Sequence, residues 1–191
     1  MNPKKSFLSQ VKVLYRDRDT AWNNSWKAAV AVRSHPPVYR AFTPTHERLI
    51  VRQQTRELCD QIANAYEKTV TEATHLDNIR LVSADISRRF NPILYNGRFR
   101  IGTAQKSVNL YLKYLWCFDE IQEPPHFPLD RIVQRSAGLP VSQQISWNKL
   151  DDIHLYLKQI QLIADRTKAS QKSYPSIAMW ELTEGWARAR T

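Results

Sequence analysis

Glycine is nearly absent: four residues in 191. That is too few for the tight turns and bulges that hairpins and sheet corners need, so an all-β fold is disfavoured and a helical one with aromatic packing is expected. Cysteine is scarcer still. Cys59 and Cys117 share no disulfide or metal-ligand spacing, and the reading for both is a buried free thiol. The five histidines, at 35, 46, 75, 126 and 154, lack i, i+4 spacing and acidic company, so neither a metal nor another cofactor is expected. No apolar run approaches the roughly 18 residues of a membrane span, and the opening "MNPKKSFLSQVKVLYRDRD" has no signal-peptide core. The expected compartment is the cytoplasm, with no membrane partner. Oligomeric state is left open.

Acid is in short supply too: 18 Asp and Glu face 28 Lys and Arg, a net charge of +10. Such a balance points to a polyanionic partner, nucleic acid first, and DNA ahead of RNA.

Apolar periodicity and breakers divide the chain. Helices are expected near 5–16 and 20–33, ending at "SHPPVYRAFTP", where consecutive prolines exclude a helix. A long helix should run from about 45 to 70 and another from about 76 to 90. "RRFNPILYNGRFRIG", residues 88–102, reads as a loop because of Asn-Pro and Asn-Gly. Helices near 103–118 and 130–137 follow, the second capped by Asp130 and ended by Gly138. Leu150, Ile153, Leu157, Ile160 and Ile163 mark a further helix, and Ser176 caps a last one. Trp180, Glu181 and Trp186 read as packing anchors. The expectation is an all-α protein, taken as one domain over 1–191 or as two lobes, 1–90 and 91–191, around a basic cleft.

Two stretches carry candidate chemistry. From Ile86 to Phe118 there are six basic residues and no acid. Arg88, Arg89, Arg98 and Arg100 are interleaved with aromatic residues, a mix that grips phosphates and stacks on unpaired bases. Arg88, Arg89, Arg98, Phe99 and Arg100 are therefore expected nucleic-acid contacts, with Gly102 and Gln105 where the next helix begins.

The second stretch is "QKSVNLYLKYLWC", residues 105–117. It is apolar almost all round, yet at about 100° per residue Lys106, Asn109 and Lys113 fall within roughly 60° of one another. An unpaired buried charge is costly, so the stripe must face a water-filled cleft or a carboxylate. Desolvation favours the neutral amine, a nucleophile toward carbonyl-like carbon. Asp130, after the proline-stiffened "PPHFP", is an available carboxylate.

A lysine on a cleft helix after a glycine-containing turn, then Pro-x-Asp at the mouth of the next helix, resembles the helix-hairpin-helix DNA glycosylases, above all the 8-oxoguanine type. The likeness covers residues 100–133. It implies that the hairpin donates backbone N–H groups to DNA phosphate, that Lys106 attacks the sugar carbon as the damaged base leaves, and that Asp130 stabilises the charge. Lys113 is the alternative nucleophile. A flipped base would lie beside Lys106, Asn109 and Lys113, with Trp116 and His126 as further substrate contacts. "NLYLKYLWC", "PPHFPLD" and "MWELTEGW" also look like pieces of an uncharacterised bacterial protein family, which implies no activity. The competing function is a non-catalytic nucleic-acid-binding protein, accessory or defence-related. A protein–protein adaptor is third.

Overall fold

The computed structural model describes residues 2–30, 35–168 and 173–185. Among these residues eight α-helices follow in chain order: α1 Pro3–Gln10, α2 Arg18–Ala29, α3 Thr45–Ala65, α4 Glu72–Phe90, α5 Ile101–Cys117, α6 Arg131–Ser136, α7 Ile153–Lys168 and α8 Ile177–Trp180. A π-helical turn, Glu181–Gly185, continues α8. Among the described residues the only β pairing is an isolated antiparallel bridge between Tyr39 and Leu94. The fold class is all-α.

Helix starts follow local chemistry. Asn2, Asp17, Thr71, Asp130 and Ser176 each cap a helix by accepting from a backbone N–H of its first turn, satisfying donors the helix itself leaves open. Several expected boundaries shift. α1 begins at Pro3, whose missing N–H costs nothing at a first helical position, and stops before Lys12 turns to a φ of 54°. α3 closes at Ala65 instead of reaching 70, and α4 begins at Glu72 under the Thr71 cap. The expected end of α2, at 33, and Trp186 lie outside the described residues.

α5 is the axis of the molecule. All seventeen of its residues are buried, and α1, α2, α3, α4 and α7 pack around it. Its entry explains one glycine. A Cβ on Gly102 would lie 1.5 Å from the Trp147 carbonyl oxygen, and the Gly102 N–H donates to the Leu150 carbonyl at 2.8 Å. The buried apolar side chains form one cluster from Phe7 to Leu182, drawn from both sides of residue 90. Cys59 and Cys117 are buried free thiols within it. Burial pushes both above their ordinary range, Cys117 to about 12.

Candidate active site

The polar stripe of α5 ends in carboxylates and carbonyls. Lys106 Nζ donates to Asp130 Oδ2 at 2.8 Å, with the two side chains 10% and 13% exposed. Lys113 Nζ donates to both Glu181 oxygens, at 2.9 and 2.7 Å, and that pair is only 4% and 2% exposed. Between them Asn109 donates to the Phe127 carbonyl, the Tyr156 hydroxyl and Gln105 Oε1. Gln105 is itself held by Leu129, donating to its carbonyl and accepting from its N–H. The partners come from the 127–130 segment, from α7 and from the π turn, so distant chain segments supply what the stripe needs.

Both ion pairs open on one cleft of about 630 Å³, lined also by Lys12 after α1 and by Asn24 and Lys27 of α2. Its charged lining is four lysines, Lys12, Lys27, Lys106 and Lys113, against two carboxylates, Asp130 and Glu181. Lys12 and Lys27 are exposed and have no acid within ion-pair distance among the described residues. Asp130 is held at both oxygens. Oδ1 accepts from the N–H groups of Ile132 and Val133, at 2.8 and 3.0 Å, while Oδ2 faces Lys106. The cap fixes the carboxylate, and the Trp147 ring lies 5.0 Å from the ammonium. Burial raises the Glu181 carboxyl above its usual range, against the pull of Lys113.

Behind the stripe lies a buried polar chain. His126 contacts the Tyr156 hydroxyl and Glu72, each at 3.0 Å. His75 contacts the Tyr66 hydroxyl at 2.6 Å, and its ring lies 4.8 Å from that of His126. Burial, with His126 adding to it, lowers His75 to about 3. Burial lowers His126 too, while Glu72 opposes the shift. Spacing gave no sign of this pair, because 51 positions separate the two rings in the chain. Among the described residues no group of three or more His, Cys, Asp or Glu is arranged to hold a metal ion.

The cleft brings together Lys106, Lys113 and Asp130 and omits the other expected substrate contacts. Asn109 and His126 are enclosed in the polar chain. Trp116 is 5% exposed and lies under the Lys4 ammonium, 5.0 Å from its ring. Glu181, read from the sequence only as a packing anchor, is the missed member. Its pairing with Lys113 spans 68 residues, and nothing local to "MWELTEG" signals it.

The expected nucleic-acid loop is largely corrected. Phe99 is fully buried and stacks on Trp26, so it has no face for a base. Arg100 is 6% exposed and donates to the carbonyls of Asn148, Pro36 and Pro37. Gln105 is fully buried. The N–H groups that a phosphate would need are in use: Gly102 N–H goes to Leu150, and Ile101 N–H to Asp151. Arg98 makes a two-pronged pair with the same Asp151, at 3.0 and 3.1 Å. Arg88 and Arg89 stay on the surface, both paired with Asp85.

Fold and site together define an all-α protein whose central helix presents two lysine–carboxylate pairs to one basic-rimmed cleft. No protein-family model, curated protein or solved structure matches the chain. No described helix is long and apolar enough to cross a membrane.

Proposed function

We propose that the chain binds DNA and acts in its cleft as a base-excision glycosylase and lyase, with Lys106 as nucleophile and Asp130 as the supporting carboxylate. One observation carries this reading: Lys106 Nζ lies 2.8 Å from Asp130, whose other oxygen caps α6, on the wall of a cleft rimmed by Lys12 and Lys27. The rim lysines suit phosphates, and the pair suits a cationic intermediate.

The chemistry balances at the sugar. A bond forms from Lys106 Nζ to C1′ as the glycosidic bond breaks, its electron pair leaving on the base. The sugar ring then opens between C1′ and O4′. Of the three ammonium protons, one ends on the departing base and one on O4′, and the third stays on the iminium beside Asp130. Lys113 is the poorer nucleophile, because both oxygens of Glu181 hold it in a closed pair. It fixes the wall of the cleft.

Borohydride trapping on duplexes containing an abasic site or 8-oxoguanine tests the reading. Wild type should give a covalent adduct, Lys106→Gln none, and folded Lys113→Gln an adduct like wild type. Asp130→Asn should slow adduct formation by roughly the 10²-fold typical of one lost charge-stabilising or proton-handling group. No adduct from folded wild type on either substrate, with DNA binding intact, sinks the enzyme and leaves a non-catalytic nucleic-acid-binding protein.

A further inference from the structure

A second cavity, of about 500 Å³, opens on another flank of α2, where Trp26 and Val30 line it in place of Asn24 and Lys27. Three arginines stand around it, Arg40 from the connection before α3 and Arg48 and Arg52 from α3 itself. None of the three has an acid within ion-pair distance among the described residues. Their contacts are with uncharged groups. Arg48 lies 5.3 Å from the Tyr39 ring centroid, Arg40 Nε donates to the Leu94 carbonyl at 3.2 Å, and Arg52 reaches the Asn23 side chain.

Tyr39 supplies the second observation. Its hydroxyl is buried and has no hydrogen-bond partner among the described residues, although buried hydroxyls are nearly always satisfied. Arg48 and Arg52 both act on that phenol electrostatically, against the effect of burial, so two cations flank an orphan donor. A ligand oxygen that accepts from the hydroxyl while neutralising the guanidiniums answers both needs. Pro44 gives the first turn of α3 no side-chain cap, and Thr45 of that turn also lines the groove. The third observation is Phe42, next in the chain to Ala41 of the groove's lining. Phe42 is 99% exposed and sits at a φ of 63°, a backbone region that a bulky residue seldom occupies and that clusters at ligand clamps.

We propose that this groove binds a phosphate of a single-stranded nucleic-acid segment through Arg48, Arg52 and the Tyr39 hydroxyl, with Phe42 stacking on an adjacent base. The inference rests on the nucleic-acid part of the reading above and is independent of the chemistry at Lys106. Guanidinium geometry matches phosphate oxygens, and stacking on an exposed ring tolerates any base.

The test is fluorescence anisotropy of a labelled twelve-nucleotide single strand across a salt series, with melting curves to confirm folding. Arg48→Gln with Arg52→Gln should weaken binding about tenfold or more. The log–log salt slope should fall by about 0.7, the increment for one phosphate of a single strand. Tyr39→Phe should weaken binding without lowering the melting temperature. Phe42→Gly removes the ring where glycine relieves backbone strain, and should cost about fivefold or more in strand affinity while leaving competition by inorganic pyrophosphate unchanged. The strand carries no lesion and the anisotropy needs no covalent step, so loss of the proposed chemistry and loss of this groove read out separately. Unchanged affinity and slope in the folded arginine double variant overturn the proposal. Pyrophosphate competition at the arginines, with no effect of Phe42→Gly on the strand, overturns the strand and leaves a free-anion site.

Discussion

At the scale of single residues, the buried histidines set a pH limit on the fold. His75 is held neutral down to about 3, whereas an unfolded histidine titrates near 6.5. Between those values the unfolded chain binds the extra proton. Stability from this residue is therefore fully present above about pH 6.5 and is lost as pH falls. At pH 5 the loss from His75 alone is about 2 kcal/mol. His126 shifts in the same direction. The groups around the pair are Glu72, Tyr66, Tyr156 and Asn109. Only Glu72 is anionic, and its side chain is 53% exposed. Urea unfolding at pH 7 and pH 5 measures the effect. His75→Gln should lower stability at pH 7 and narrow the gap between the two pH values. An equal gap in wild type and variant would remove His75 from the acid sensitivity.

At the scale of elements, α5 shows how much of the site was legible. Its helix, its one polar stripe and the Asp130 cap can all be read from spacing, since they rest on 3.6-residue periodicity and on cap chemistry that acts within a few residues. That the stripe needed a carboxylate also follows from the cost of burying charge. Which carboxylate each lysine takes does not, because Asp130 and Glu181 lie 24 and 68 residues away. Leucine or methionine at 113 looks harmless on an apolar helix, yet alone it would leave Glu181, 2% exposed, with no ion-pair partner among the described residues. Lys113→Met should therefore destabilise by about 3–5 kcal/mol, whereas Lys113→Met with Glu181→Leu should recover most of that loss or all of it. Denaturant titration of the two variants decides the matter. If the double variant is as unstable as the single one, the pair is not what Lys113 contributes to the fold.

At the scale of the whole molecule, net charge is visible in composition, but its useful part is not where the sequence concentrates it. The window from Ile86 to Phe118 holds six cations and no acid, yet it starts one residue after Asp85, and Asp151 lies far outside it. Those two acids take Arg88, Arg89 and Arg98. Three carbonyls from two other segments take Arg100. Among the described cations with no acid within ion-pair distance, Lys12 and Lys27 line one flank of α2 and Arg40, Arg48 and Arg52 the other. Arg98→Ala with Arg100→Ala should therefore leave the salt dependence of DNA binding as in wild type, since neither guanidinium is free for phosphate. The same double variant should lose about 3 kcal/mol of stability or more, because the carbonyls that Arg100 serves are left without its charged donors. For a chain of this size that is roughly 10 °C of Tm. Anisotropy across a salt series and a melting curve on the same sample check both halves. A salt slope that falls by about one unit per arginine, with Tm unmoved, would return the phosphate contacts to the 98–100 loop.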